Sequence, residues 1–321
     1  MSKAPGKSYR IGMSLMEIME MFPDDLAAEQ WFESARWPTD DKRTCPKCGS
    51  CNTVAKENRK PLPFRCRDCR SFFSVRHGSV MEKSRIPLRK WAIAIFLNAT
   101  SLKGVSSMKL HRDLKITQKS AWFMAHRLRE AFASEGSLFA GPVEVDETYM
   151  GGKEANKHES KKLKKGRGGV GKTAVVGIKD RKTNKVVARV VPNVKKPTLQ
   201  GFIGEQVNPS AEKFTDNNTA YNGLANRESV NHSIGEYVKG RVHTNGIESF
   251  WSMFKRAHKG TFHKMSQKHL QRYLDEFVGR HNMRHSHTME QLVFIATSMA
   301  GKRLTYKNLI ADNGLDSGAR S

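Results

Sequence analysis

Nowhere in this chain do apolar residues run on for the ~18 to 20 positions that a helix needs to cross a bilayer, so a membrane-spanning role is not expected. A secretory leader is not expected either. Where its apolar centre would stand, SLMEIMEMF carries Glu17 and Glu20. Cysteine is scarce, five residues in all, and four of them fall in two CxxC pairs. That pattern suits a reducing cytoplasm and a bound metal better than a disulfide framework. Acid is also short: 31 Asp and Glu stand against 56 Lys and Arg, leaving a formal charge of +25. Such an excess does not fit a neutral metabolic enzyme and points to a polyanionic partner, nucleic acid first. A merely basic protein that adheres to ribosomes or membrane surfaces would share the charge, but would leave the placement of its few acids unexplained.

Three of those acids carry the functional argument. VEVDETY (residues 143–149) sets Val143 and Val145 on one side and Glu144, Asp146 and Thr148 on the other, the alternation of a half-buried strand that projects a carboxylate. KFTDNN ends a second short apolar run on Asp216. HTNGIESFWSMFKR reads as an amphipathic helix from about residue 244, with Asn245 and Glu248 three apart on one face and Lys255 two turns further along it; Phe250, Trp251 and Phe254 form the buried stripe. Carboxylates fixed on strand, strand end and helix suit hard divalent cations, which take oxygen ligands from rigid elements, and hence two-metal phosphoryl transfer.

Along the rest of the chain, residues 1–42 are expected to form a short helical segment interrupted at Pro23. Residues 43–80 hold Cys45-Pro-Lys-Cys48 and Cys66-Arg-Asp-Cys69. Each pair turns two thiolates toward one ion, and the intervening seventeen residues allow a hairpin to close the four around tetrahedral zinc. Cys51 is left over as a spare thiol. Within residues 81–135, LRKWAIAIFLNATSL is apolar nearly all round and reads as a buried helix. Ser107 and Thr117 are placed to cap two short helices, the second with Lys119, His126, Arg127 and Arg129 on its polar face. The pair reads either as a helix-turn-helix that presents Arg127 and Arg129 to DNA or as an ordinary helical linker. A lysine-crowded stretch, GGKEANKHESKKLKKGRGG, then offers a second grip on a phosphate backbone.

Gly166 to Thr173, GRGGVGKT, matches the phosphate-binding pattern GxxxxGK[ST], but no apolar strand feeds it and no helix is expected after it. AVVGIK reads instead as a strand paired through KTN with VVARVV. No nucleotide cofactor is therefore expected, and Lys172 is assigned to DNA with Lys255 and Arg256. The reading as a partitioning-type ATPase would be separated by an ATP hydrolysis assay. Pro192 and Pro197 frame a crossover into a helix, TLQGFIGEQV, before the strand of Asp216, and Thr219 and Thr288 are candidate caps further on.

The zinc knuckles, the two-helix segment, VEVDETYMGGKE, GRGGVGKTAVVG, FTDNNTAY and HTNGIESFWSMFKR, in that order, closely resemble bacterial insertion-sequence transposases with an amino-terminal zinc ribbon and an ISXO-type DDE catalytic domain. The resemblance spans roughly residues 15–300. It implies an α+β multidomain chain whose ribonuclease H-like domain, a mixed five-stranded sheet with helices, occupies residues 136–300 ahead of a tail at 301–321. It implies two Mg²⁺ or Mn²⁺ per site on Asp146, Asp216 and Glu248, one Zn²⁺ on the cysteines, and cleavage and strand transfer of double-stranded DNA at terminal inverted repeats. The family pattern takes Glu or Asn at the third position; charge favours Glu248 over Asn245. A homodimer or higher oligomer on DNA, in the bacterial cytoplasm at the nucleoid, belongs to the same expectation. The alternatives are a non-enzymatic zinc-ribbon and helix-turn-helix regulator, or a nuclease of the same fold that cuts without joining.

Overall fold

The computed structural model describes residues 11–56, 60–133, 138–152, 158–163, 169–230 and 243–315. They fall into two compact units. The first runs up to Ala133 and takes the chain back for Met283–Ala311; the second holds the described residues between them, through Asn282, and those from Asp312 on. A catalytic domain reaching residue 300 was expected, so the second unit is shorter, and the last apolar helix belongs to the first.

In the first unit, α1 (Leu15–Met21) starts at a capping box: Ser14 Oγ accepts from the Glu17 amide at 3.1 Å, and the Glu17 carboxylate accepts from the Ser14 amide at 2.6 Å. Asp24 caps α2 (Asp25–Arg36) by accepting from the Ala27 amide at 2.8 Å. Three short antiparallel strands follow: β1 (Thr53–Ala55), β2 (Phe64–Cys66) and β3 (Phe72–Phe73). Trp37, Phe64 and Phe73 meet edge-on or tilted, with ring centroids 5.5 to 5.9 Å apart, and share one apolar core with the helices. α3 (Leu88–Thr100) is buried nearly all round, as its composition requires. Ser106, one residue before the expected cap, closes α4 (Ser107–Leu114), because its hydroxyl reaches the Lys109 amide at 3.2 Å. Lys115, in the left-handed conformation, turns the chain into α5 (Gln118–Phe132), which Thr117 caps as expected. α9 (Thr288–Ser298), capped by His287 rather than Thr288, packs its Leu292 and Ile295 into this core, and α10 (Tyr306–Ile310) follows it.

The second unit is a five-stranded mixed sheet in the order β6-β5-β4-β7-β8. Its strands are β4 (Val143–Met150), β5 (Thr173–Asp180), β6 (Val186–Val191), β7 (Lys213–Asp216) and β8 (Arg227–Val230). β4 to β6 run antiparallel, whereas β7 and β8 run parallel to β4, after the crossover helix α6 (Lys196–Gln206). The strand alternation feeds two cores. Val143, Val145, Val176 and Ile178 pack with Leu199, Phe202 and Ile203 of α6. Val175, Val186 and Ala188 pack on the other face with α7 (Asn245–Ala257) and α8 (Leu270–Asn282). Edge strand β6 is blunted by α8: Asn282 and Gln271 accept from the Val186 and Val190 amides at 2.7 and 2.8 Å, removing donors that would otherwise template another strand.

Lys213 is buried, and its ammonium donates to the carbonyls of Pro209, Ala211 and Ala225 at 2.8 to 3.1 Å. That clamp fixes the approach to β7, and so the strand end that bears Asp216.

Candidate functional site

The ladder between β4 and β7 pairs Val143 with Lys213 and Glu144 with Phe214 and then stops. Carried two residues further, the same register sets Asp146 abreast of Asp216 where the strands are no longer bonded. Glu248 comes to them from α7. The three expected acids therefore share one site, joined by Glu147, and their charges act on one another. Burial pushes the Asp146 carboxyl up to about 8, and Glu147, Asp216 and Glu248 each add to that shift. Asp216 Oδ1 accepts from the Asn218 amide at 3.1 Å, and Glu248 Oε1 accepts from the Thr244 hydroxyl at 2.8 Å, so both side chains are oriented. Asn245 is the exposed first residue of the same helix.

Helix α7 reaches the acids because of two features of the sheet. Gly177 lies opposite Asp146 in the β4–β5 ladder, and a Cβ there would stand 2.5 Å from Trp251 Cζ2 and 3.1 Å from Ile247 Cδ1. Bare backbone at that point lets α7 lie directly on the strands. The second feature is Glu144, which is buried. Its Oε1 accepts from Arg181 Nε at 2.8 Å, and its Oε2 accepts from the Ile247 amide at 2.9 Å. With no side-chain cap from Thr244, the α7 amino terminus is capped across space by this carboxylate. Gly177→Val is expected to lift α7 from the strands and destabilise the fold by about 1 to 3 kcal/mol through overpacking. Urea unfolding measures the effect. Trimming Trp251 to Leu in the Gly177→Val background should restore part of the stability if the close approach is the cause.

Glu147, not singled out from the sequence, faces the opposite side from Asp146, toward the chain after β7. Its carboxylate accepts from Asn218 Nδ2 at 2.6 Å and from the buried Tyr221 hydroxyl in a short bond. Burial raises its pKa, and the Tyr221 bond opposes that rise. Because Asn218 also serves Asp216 through its amide, Glu147 ties the Asp216 strand end to β4. Asn218, rather than Thr219, caps the turn Thr219–Tyr221. No local pattern marks Glu147 in the sequence, since its partners lie more than seventy residues away.

The basic residues assigned to DNA divide. Lys255 and Arg256 are exposed in the last turn of α7. Lys172 lies next to Thr173, the residue paired with Met150, about 13 Å along β4 from Asp146 at the usual strand rise. After Lys172 the chain enters strand β5, where a phosphate-binding loop of the GxxxxGK[ST] kind needs a helix. Much of the lysine-rich stretch before it, residues 153–157 and 164–168, lies outside the described residues. Arg127 and Arg129 do not form an exposed row on α5. Both are buried, and Arg127 donates to the carbonyls of Glu82 and Leu304 at 3.0 and 3.3 Å while lying 4.1 Å over the Phe123 ring. Two of its three nitrogens thus serve the fold of the first unit.

In that unit Cys45, Cys48, Cys66 and Cys69 bring their sulfurs within 4.8 Å of one another, with 3.6 Å for Cys45–Cys69 and for Cys48–Cys66. A tetrahedral ion with metal–sulfur bonds of ~2.3 Å needs edges of about 3.8 Å, so these thiols suit one ion. The Ser71 hydroxyl and amide pull the Cys69 thiol down to about 6, whereas Cys48, despite the Ser50 amide, is pushed up to about 12 by Cys69 and by burial, so the clustered thiols share their protons until an ion displaces them. Cys51 is exposed and outside the group. Among the described residues this is the one set of three or more such ligands so closely gathered; the acids at 146, 147, 216 and 248 are not gathered so tightly.

Residues 139–282 match the ISXO2-like transposase domain. The chain is 28% identical over 251 residues to an uncharacterized protein in transposable element ISH50 of Halobacterium salinarum, covering 73% of this chain and 83% of that one. It is also 35% identical over 102 residues to an uncharacterized transposase-like protein of Haemophilus influenzae, 30% of this chain and 81% of the relative. The chain belongs to the ISXO2-like transposase family. The family domain ends at Asn282, where the chain leaves the second structural unit for the first, and contains Asp146, Asp216, Asn245 and Glu248. The transposase match thus covers the acidic site, whereas the four-cysteine cluster lies before it.

Proposed function

We propose that this chain is a DNA transposase that binds the terminal inverted repeats of an insertion sequence, cuts the strand at the element end and joins it to target DNA. The observation that carries the reading is the Asp146 carboxyl pushed up to about 8 by burial and by Glu147, Asp216 and Glu248. So much negative charge gathered at one place is a donor set for divalent metal, and hard oxygen donors on rigid elements fit Mg²⁺ or Mn²⁺. When bound, two such ions supply an activated water or 3′-hydroxyl nucleophile and neutralise charge on the leaving oxygen.

The chain's own residues do the positioning. Asp146 and Asp216 present oxygens from neighbouring strands, Glu248 presents one from α7, and Asn245 stands beside it as the neutral alternative. Glu147 keeps the two strand ends in register. Lys255, Arg256 and Lys172 take the phosphate backbone, and no serine or tyrosine nucleophile is required. The sheet order with its single helical crossover agrees with a ribonuclease H-like catalytic domain. Zinc on the four cysteines makes the strands β1 to β3 a ribbon, and with α4 and α5 this unit recognises the element ends. Action on two ends calls for a homodimer or higher oligomer.

The test is a strand-transfer assay on duplex DNA that carries the inverted repeats flanking the element. Joined products dependent on Mg²⁺ are expected. Cutting without joining would identify a nuclease, and binding with neither would identify a regulator.

A further inference from the structure

A cavity of about 180 Å³ opens in the first unit between the turn before α3 and the first half of α5. It has room for about six waters at their liquid volume, enough for a phosphate with its ester carbons. What lines it is one-sided. Lys83 and Arg85 are exposed and cationic, and Arg127 stands behind them. Ser84 Oγ already accepts from Trp91 Nε1 at 3.2 Å and from the Ile86 amide at 3.3 Å. Ser120 Oγ accepts from the Thr117 hydroxyl at 2.9 Å. Each hydroxyl therefore has its own proton left to give. Glu82, the acid next in sequence, places its carboxylate near Arg303 at 3.5 Å and on the Gly78 amide at 3.2 Å; its carbonyl accepts from Arg127, whose charge its carboxylate also feels, but it does not line the cavity.

A cavity with three cations and two hydroxyl donors, and no carboxylate among its lining residues, selects an oxyanion. We propose that it is a phosphate-binding pocket, occupied by a backbone phosphodiester when the chain is on DNA. The proposal rests on the reading of the chain as a DNA-binding transposase. Position supports it: the pocket adjoins the first turn of α5, where Gln118 and Lys119 are exposed, and the opening turn of the second helix is the part of a two-helix unit that meets DNA. A phosphate held beside that turn would fix its register without reading sequence.

The probe variant is Ser120→Ala, which removes a donor, leaves the charge unchanged and favours the helix. Duplex affinity is measured in the full chain with magnesium omitted and no readout of cleavage, so failure here leaves the reaction standing, and failure of the catalytic test leaves the pocket standing. Ser120→Ala is expected to weaken binding five- to tenfold, with Ser120→Thr restoring it. Lys83→Gln should lower the slope of log affinity against log salt by about 1, the value for one lost phosphate. A second arm compares thermal stabilisation by inorganic phosphate with that by chloride at equal ionic strength. Loss of that stabilisation in Ser120→Ala with duplex affinity intact would assign the pocket to free phosphate. Wild-type duplex affinity together with wild-type stabilisation by phosphate would overturn the proposal.

Discussion

Asp146→Asn is expected to lower magnesium-dependent nicking of an end-bearing duplex by ~10³-fold or more while leaving affinity for that duplex, measured without magnesium, within about twofold. The amide keeps the shape of the carboxylate but not its charge, and Asp146 is the residue on which the other three acids act. The same substitution has a consequence for stability. Burial first, and then the neighbouring acids, hold the folded-state pKa of Asp146 at about 8, well above its ordinary value of 3.8. Between those two values the folded chain keeps a proton that the unfolded chain has released. The metal-free protein therefore loses stability as pH rises across that window and regains it on acidification. The ceiling is about 6 kcal/mol, reduced by any relaxation of the site. Asparagine cannot titrate, so urea melts of the variant at pH 5, 6.5 and 8 should vary less than those of the wild type, and added magnesium should stabilise it less. Parallel curves for the two proteins would count against the assignment.

Cys66→Ser is expected to remove one tightly held zinc per chain and with it most of the stability of the strands β1 to β3. Cys66 is fully buried, 3.6 Å from Cys48, and in the same apolar core as Phe64, Phe73 and α3. A structural zinc site contributes ~10 to 16 kcal/mol of binding free energy that is available only to the folded form. Loss of it should spread into the first unit, lowering the melting temperature and abolishing duplex binding. Cys51→Ser is the matched control, since that thiol is exposed and outside the cluster; zinc content and melting should not change. Elemental analysis of the purified chain reads the outcome, and zinc retained by Cys66→Ser or lost by Cys51→Ser would refute the ligand set.

How much of this was legible in the sequence depends on the range of each interaction. Val143 and Val145 alternating with Glu144 and Asp146 identify a strand because the period of two is local, and β4 follows it. The amphipathic spacing around Glu248 likewise identifies α7 and its buried face. The glycine that lets α7 settle was not legible, because Gly177 matters only through Trp251, a residue in another element. Glu144 and Glu147 escaped for the same reason: one caps a helix 103 residues away, the other meets a tyrosine 74 residues away. On α5, periodicity put Lys119, His126, Arg127 and Arg129 on one polar face, but only Lys119 is exposed: the other three are buried, and Arg127 proves to be bound to carbonyls from Glu82 and Leu304, which no local pattern announces. The return of α9 to the first unit was hidden by chain order, which favours neighbours in sequence as neighbours in space.

The central claim, that Asp146, Asp216 and Glu248 hold catalytic metal together, is tested most directly by replacing magnesium with ferrous iron, adding ascorbate and mapping where hydroxyl radicals cut the protein backbone. Cuts gathered beside residues 146, 216 and 248, suppressed by excess magnesium and weakened in Asp146→Asn, are the expected result. Cuts that fall elsewhere, or that persist unchanged in the variant, would contradict it.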